Sequence, residues 1–295
     1  MSVNLTNSQR AEVLTQALPY IQKYYNKVVV IKYGGNAMVN EILKQQVMED
    51  IVLLSLIGVK VVLVHGGGPE ITDMLQRVGK ESRFVDGLRV TDKETAEIVQ
   101  MVLAGKINKS LVNYLEAQGG VAIGLSGIDG DPIEGQMKDD RLGYVGEITA
   151  VNIQPINDLL EKGYIPVVST VGCDMEGNVY NINADTAAAY IAGAMGAERL
   201  ITMTDIAGIL ADKDDPDSLI PCIDINDAVE LFRSGVISGG MIPKVECCIE
   251  AINHGVKKVI ILDGRVPHAI LIEMLTDEGA GTMVVEDKNN ERQRA

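Results

Sequence analysis

The chain has 295 residues, of which 46% are hydrophobic and 23% charged, with no Trp and two Phe. This composition is typical of a globular protein with an aliphatic core and excludes a disordered chain. The formal net charge of −15 opposes binding to nucleic acid or to an anionic membrane. An anionic small substrate would need a local basic pocket.

The N-terminal segment, residues 1–26, is predicted to form an amphipathic helix kinked at Pro19. Its apolar stripe requires a partner. It shows neither a targeting signal nor, like the rest of the chain, an apolar run long enough to span a membrane. The four cysteines form no C-x-x-C pair. We therefore expect reduced thiols in a reducing compartment, either the cytoplasm or, for a plastid-encoded chain, the plastid stroma.

Strands and helices then alternate. The predicted strands are 27–32, 59–65, 121–125, 165–170, 200–203 and 258–262. The predicted helices are 45–57, 70–78, 95–118, 153–162, 184–195, 225–234 and 242–253. Near-continuous β-branched strands between helices indicate a mainly parallel sheet covered on both faces.

Two regions interrupt this alternation. Residues 127–146 are rich in Gly and Asp, with a hairpin strand predicted at 144–148, and residues 172–182 read as a hairpin. Insertions of this kind commonly overhang a site. The charged residues 286–295 are expected to form a frayed tail.

Three glycine clusters are the first functional signal: Gly34-Gly35, Gly66-Gly67-Gly68 and Gly239-Gly240. Each alone could be a tight strand-to-helix turn, but together they suggest backbone N–H cradles for phosphate or carboxylate at the carboxyl edge of a parallel sheet. The chain lacks a P-loop, a G-x-G-x-x-G after the first strand and the protein-kinase motifs.

The charged candidates lie beside these clusters. Lys32 precedes the first and Lys244 follows the third; if they are not merely solvated, two lysines in one cleft suit a transferring phosphoryl group. Arg89 could form a surface ion pair or clamp a carboxylate. In N-I-N-A-D (181–185), capping of a helix by Asn183 or Asp185 is one interpretation. In the other, Asn181 binds substrate and Asp185 orients the lysines. The three scattered histidines are expected to be structural.

Five motifs occur in a fixed order. They are V-I-K-Y-G-G-N-A (30–37), V-H-G-G-G-P (64–69), D-G-L-R-V-T (86–91), N-I-N-A-D (181–185) and G-G-M-I-P-K (239–244). Together they resemble the acetylglutamate kinases of the amino acid kinase family, over residues 20–285. The resemblance implies an open three-layer αβα sandwich with a mainly parallel central sheet of about eight strands. It also implies a kinase domain over 27–285, with an acetylglutamate-binding half up to about residue 180 and an ATP-binding half after it.

The implied reaction moves a phosphoryl group from ATP to the side-chain carboxylate of N-acetyl-L-glutamate, in arginine biosynthesis. By position, Lys32 and Lys244 would stabilise the transition state and Asp185 would orient them. The residues that would bind acetylglutamate are Gly67, Gly68, Arg89 and Asn181. Those that would bind ATP are Gly34, Gly35, Thr204 and Asp205. Mg²⁺ would be held mainly by the phosphates, without a protein metal site.

The resemblance extends to regulation. Residues 1–26 resemble the oligomerisation helix that joins dimers into a hexamer, a trimer of dimers, in arginine-inhibited members. By the same resemblance His268, Glu273 and Gly281 would form the arginine site. Some members are also bound by the P-II signalling protein. Two alternatives stay open: another member acting on carbamate, aspartate, glutamate or a nucleotide, and a catalytically silent arginine sensor.

Overall fold

The computed structural model describes residues 5–38 and 40–288. Its strands are β1 Val28–Tyr33, β2 Lys60–His65, β3 Phe84–Val85, β4 Leu88–Arg89, β5 Ala122–Ser126, β6 Glu134–Met137, β7 Gly146–Ala150, β8 Ile165–Ser169, β9 Val171–Cys173, β10 Val179–Asn181, β11 Arg199–Thr204, β12 Cys222–Asp224, β13 Lys258–Asp263 and β14 Gly281–Val285.

The helices are α1 Asn7–Gln16, α2 Leu18–Tyr24, α3 Glu41–Leu56, α4 Gly68–Arg77, α5 Lys93–Gln100, α6 Asn108–Ala117, α7 Gln154–Glu161, α8 Ala184–Ala194, α9 Ile225–Ser234, α10 Ile242–Asn253 and α11 Ala269–Leu275. A π-helical segment, Met101–Ile107, joins α5 to α6, and short 3-10 turns occupy Gly35–Met38 and Gly239–Met241. None of the described helices combines the length and the apolar character needed to cross a bilayer.

The central sheet has eight strands in the order β12-β14-β13-β11-β1-β2-β8-β5. The six strands from β13 to β5 run parallel, whereas β14 is antiparallel to β13 and β12 is parallel to β14. The prediction of a mainly parallel sheet of about eight strands is therefore confirmed. Neither β12 nor β14 was among the predicted strands.

The side chains of the central strands alternate between two apolar cores. In β1, Val29 and Ile31 pack into the core that contains side chains of α3, α4, α6 and α11. Val30 points into the opposite core, with side chains of α7, α8, α9 and α10. Because both faces are covered, the strands are apolar at almost every position. The predicted αβα sandwich is confirmed.

Two small sheets interrupt the alternation of strands and helices. One has four strands in the order β10-β9-β6-β7, and the other is the β3–β4 hairpin. The predicted hairpin over 172–182 is the antiparallel pair β9–β10. The strand expected at 144–148 begins two residues later as β7, antiparallel to β6.

The N-terminal helix is divided in two. The bend expected at Pro19 lies at Ala17, between α1 and α2, and Pro19 is the second residue of α2. Proline is tolerated there because an N–H in the first turn has no intrahelical partner. Residues 1–4 of the predicted helix and 289–295 of the predicted tail lie outside the described residues.

Candidate active site

The carboxyl ends of the parallel strands bring the first candidate residues to one edge of the sheet. Lys32 pairs with Val64 of β2 on one side and with Thr202 of β11 on the other. It is only 8% exposed, and a buried ammonium requires a charged partner. That position excludes the alternative of a solvated surface lysine.

Asp185 provides that partner. The Lys32 ammonium lies 3.0 Å from Asp185 Oδ1. Burial alone would raise the pKa of Asp185, but the positive charges of Lys32 and Lys244 outweigh it and lower this pKa below its ordinary value. The carboxylate is thus ionised between a lysine from β1 and another from α10. These three residues form what we call the Lys–Asp–Lys cluster.

Local capping explains how Asp185 is held in place. Asn183 Oδ1 accepts hydrogen bonds from the backbone N–H groups of Asp185 and Thr186, at 2.9 and 3.0 Å, and so caps α8. Asn183 is therefore the helix cap, which leaves Asp185 in the first turn free to face the lysines. The capping interpretation of N-I-N-A-D is thus confirmed for Asn183, and Asp185 lies beside Lys32 as the other interpretation expected. Binding of substrate by Asn181 stays a prediction.

The glycine pair after β1 leaves space for charged side chains. A Cβ on Gly34 would lie 2.8 Å from Lys32 Nζ, and one on Gly35 would lie 2.5 Å from Asp205 Oδ1. Gly35 also has a φ of +71°, which disfavours any residue with a Cβ. Lys32, the glycine pair and Asp205 therefore lie together, and Asp205 directly follows Thr204 at the end of β11.

Two adjoining cavities open from this edge. The smaller, about 180 Å³, contains the predicted substrate residues Gly67, Gly68, Arg89 and Asn181 in its lining. The larger, about 430 Å³, contains Asp185 and Lys244. Leu88, Val145 and Asn183 border both cavities. The β3–β4 hairpin and the four-stranded sheet thus roof a continuous cleft beside the Lys–Asp–Lys cluster.

Arg89 is fixed in the smaller cavity by groups that the sequence did not single out. Its Nη1 donates to Ser82 Oγ at 2.6 Å, and its Nη2 donates to Gly68 O at 2.9 Å and to Thr72 Oγ1 at 2.8 Å. Its guanidinium carbon lies 4.7 Å from the centre of the Phe84 ring. Three of the five guanidinium N–H donors are thus used, and two are left for a ligand.

The comparisons with known proteins agree with this geometry. The sequence profile described as "Amino acid kinase family" matches residues 27–263. The chain belongs to the amino acid kinase family. It is 57% identical to the acetylglutamate kinase of Brachyspira hyodysenteriae, over 96% of this chain and 99% of that one. The acetylglutamate kinase of Moorella thermoacetica is 53% identical over 96% and 99% of the two chains. Among solved structures, smu.665 from Streptococcus mutans UA159 superposes with a TM-score of 0.72 at 30% identity, over 88% of this chain and 99% of that one.

In this amino acid kinase the three residues assigned to an arginine site have protein partners. His268 Nδ1 lies 2.6 Å from Asp50 Oδ1. Glu273 Oε1 accepts from Arg199 at 2.7 Å, and its Oε2 accepts from the Ala280 N–H at 3.0 Å. Gly281 begins β14, where a Cβ would lie 2.0 Å from a backbone oxygen of β13.

A surface groove lies beside these residues. It has a volume of about 880 Å³ and runs between the N-terminal helices and α11. Tyr20 of α2 donates from its hydroxyl to Asp277 across the groove. Glu273 itself is buried against Arg199, so the structure does not leave its carboxylate open to this groove.

The described residues do not build a protein cage for a metal ion. No group of three or more His, Cys, Asp or Glu side chains among them could hold one, and Asp185 is already paired with Lys32. The donor set therefore does not fit a resident metal, and a divalent ion would enter with a nucleotide as part of the substrate.

Proposed function

We propose that this chain is an acetylglutamate kinase, which transfers the γ-phosphoryl group of ATP to the side-chain carboxylate of N-acetyl-L-glutamate. The observation that carries the proposal is the Lys–Asp–Lys cluster beside a cavity lined by Arg89 and Asn181. The names of full-length relatives at 57% and 53% identity support the same activity. ATP is used as its magnesium complex.

The chemistry requires charge neutralisation more than proton transfer. A carboxylate oxygen attacks the γ-phosphorus while the bond from that phosphorus to the bridging oxygen of ADP breaks, so no base is needed. The main barrier is repulsion between two anions. Lys32 and Lys244 neutralise the oxygens of the transferring group, as preorganised cations do in phosphoryl transfer. Asp185 keeps the two ammonium groups in position.

The remaining site residues bind and orient the two substrates. A free N–H donor of Arg89 binds the α-carboxylate of acetylglutamate. The Asn181 amide and the N–H groups of Gly67 and Gly68 make the other contacts with this substrate. In this proposal Gly34, Gly35 and the neighbourhood of Thr204 and Asp205 accommodate the ATP phosphates. The roof formed by the small sheets excludes water from the reacting groups.

The test is trapping of the acyl phosphate by hydroxylamine. The purified chain is given ATP, Mg²⁺ and acetylglutamate, and the hydroxamate is measured; parallel reactions contain glutamate, aspartate or carbamate instead. Hydroxamate from acetylglutamate alone is expected, as for the acetylglutamate kinases that this chain resembles. Product from aspartate or unacetylated glutamate, with none from acetylglutamate, would overturn the substrate and leave the kinase. No product from any acceptor would favour the silent sensor.

The second part of the proposal concerns regulation by arginine and the oligomeric state. We propose feedback inhibition by arginine, with His268, Glu273 and Gly281 near its site, and a hexameric trimer of dimers joined by residues 1–26. The apolar residues Leu14 and Leu18 support this role because their side chains are exposed. For Glu273 to contact arginine, its bond to Arg199 must open.

The regulatory proposal is tested on the full chain and on a chain lacking residues 1–26. We expect light scattering to show a hexamer only for the full chain, and arginine to inhibit it more strongly. An unchanged hexamer after the deletion would contradict the role of the helix. Co-purification with a P-II protein tests that partner.

The four free thiols support a reducing compartment such as the cytoplasm.

A further inference from the structure

A buried polar network lies directly beneath the glycine loop, which comprises residues 66–68. His65 ends β2 and is fully buried. Its Nδ1 lies 2.9 Å from Gly66 O, and its Nε2 lies 3.2 Å from Asn108 Nδ2. The mechanism proposed above uses neither His65 nor Asn108.

The partners fix the tautomer of His65. A carbonyl oxygen only accepts, so Nδ1 carries the proton and donates to Gly66 O. Nε2 is then the acceptor for the Asn108 amide. That amide nitrogen is correctly placed, because the backbone oxygens of Leu125 and Val167 also lie within hydrogen-bond distance of it, at 3.1 and 2.8 Å. Its two N–H groups are thus shared among three acceptors. Burial lowers the pKa of His65 to about 4, so the ring is neutral near pH 7.

The hydrogen bond to Gly66 O sets the direction of one peptide plane. No cis peptide occurs among the described residues, and in a trans peptide the C=O and the following N–H point in opposite directions. Because the Gly66 carbonyl points toward buried His65, the Gly67 N–H points the other way, toward the cavity that the loop lines. A plane between two glycines otherwise rotates at little cost, since neither residue has a Cβ.

The π-helical segment supports the same loop from the side. A Cβ on Gly67 would lie 2.1 Å from Ile107 Cδ1 and 2.8 Å from Leu103 Cδ2. Asn108 directly follows this segment, and a Cβ on Gly124 would lie 1.9 Å from its Oδ1. The segment therefore packs against Gly67 and also delivers Asn108 to His65. Departures from α-helical geometry of this kind frequently occur at functional sites.

We propose that His65 is a positioning residue, which aims the Gly67 N–H at the carboxylate of the substrate by holding the Gly66 carbonyl. The inference rests on the proposed function for the identity of that substrate. In this proposal His65 neither contacts the substrate nor transfers a proton. Asn108 fixes the imidazole plane from its other side.

Two substitutions separate the two hydrogen bonds of His65. The amide nitrogen of Asn is as many bonds from the backbone as Nδ1, so His65→Asn keeps the donor to Gly66 O and loses the acceptor for Asn108. The amide group of Gln reaches the position of Nε2, so His65→Gln keeps the bond to Asn108 and loses the one to Gly66. The Gln side chain also fills more of the volume of the imidazole ring than the Asn side chain does. We therefore expect His65→Gln to have a higher melting temperature than His65→Asn.

The two variants are therefore expected to rank in one order by activity and in the opposite order by stability. We expect kcat/KM for acetylglutamate to be about tenfold or more lower in His65→Gln than in His65→Asn, because a misdirected peptide removes a preorganised donor. The KM for ATP should be the same in both variants. If activity instead follows the melting temperature, or if both substrates are affected alike, His65 only fills space and the proposal is overturned.

A second measurement does not depend on the proposed function. Crystal structures of the two variants show the direction of the Gly66 carbonyl: rotated in His65→Gln and unchanged in His65→Asn. A carbonyl that keeps its direction in His65→Gln overturns the inference even if the wild-type chain uses another substrate. Lack of wild-type activity toward acetylglutamate, with a rotated carbonyl in His65→Gln, overturns only the proposed substrate.

Discussion

Lys32 and Lys244 approach Asp185 from separate elements, β1 and α10, so either can be removed without displacing the other. We predict that Lys32→Ala or Lys244→Ala lowers kcat by about a hundredfold or more, because each removes a preorganised cation. The measurement is hydroxamate formation at saturating ATP and acetylglutamate. Lys162→Ala, at the exposed end of α7, is the control and should leave kcat unchanged. Near-wild-type turnover in both cleft variants would refute the assignment.

Two glycines with different surroundings give a matched test of the buried network. A Cβ on Gly124 would lie 1.9 Å from Asn108 Oδ1, whereas one on Gly105 would meet nothing within 4 Å. Gly124→Ala should therefore lower the free energy of unfolding by about 2 kcal/mol, by displacing a buried hydrogen-bonded amide. Gly105→Ala should leave it equal or up to about 1 kcal/mol higher, since Ala is the better helix former. Urea unfolding measures both, and equal effects would contradict the explanation.

The sequence predicted the charged residues of the candidate site better than the residues that hold them. Lys32, Asp185 and Arg89 belong to motifs whose residue types already indicate the chemistry. Ser82 bonds to Arg89 seven residues further along, and Asn108 bonds to His65, 43 residues earlier. Nothing in the local pattern separates Ser82 or Asn108 from ordinary surface or helix residues. The acetylglutamate kinase activity expected from the motifs is supported by the relatives, whereas inhibition by arginine stays a prediction.

Among the secondary-structure elements, the central strands were predictable because they are continuous apolar runs. The edge strand β12 has only three residues, and its neighbour β14 begins with Gly and Thr, so neither is a continuous apolar run. The predicted helix over 95–118 consists of α5, the π-helical segment and α6. The π-helical segment differs from an α-helix in its i→i+5 hydrogen bonds, which the helix-forming residues of this stretch do not predict.

A buried ion pair ties α11 to β11. Arg199 and Glu273 are 5% and 6% exposed, and their charged atoms lie 2.7 Å apart. Glu273→Gln should lower the free energy of unfolding by about 3 kcal/mol, because it leaves the Arg199 charge buried without compensation. The double variant Arg199→Met/Glu273→Leu should recover most of this loss. Urea unfolding of both variants checks the prediction, which fails if the double variant is no more stable than the single one.

At the scale of the whole molecule, two buried groups make the stability respond to pH in opposite directions. Burial lowers the pKa of His65 to about 4 and raises that of Asp50 to about 6. As the pH falls from 6.5, His65 takes up a proton in the unfolded chain before it does so in the folded chain. The free energy of unfolding therefore decreases until about pH 4. As the pH falls from 6, the folded chain protonates Asp50 first, so it gains stability toward pH 3.8.

Between pH 6 and 4.5 these two contributions should nearly cancel, at about 1.4 kcal/mol per pH unit each. In Asp50→Asn only the His65 contribution is left, so its free energy of unfolding should fall by about 2 kcal/mol over this range relative to the wild type. Urea unfolding at a series of pH values measures the difference. Parallel pH profiles for the two chains would contradict the prediction.

The strand order has a consequence for synthesis on the ribosome. β1 lies in the middle of the sheet, yet one of its two neighbours, β11, begins at Arg199, which pairs with Val29 about 170 residues earlier. At roughly 5–20 residues per second, the nascent chain carries β1 with one open, apolar edge for about 10–30 s. Chains released before residue 199 would expose that edge permanently and aggregate. Premature termination before Arg199 would therefore yield insoluble fragments and no partly active enzyme.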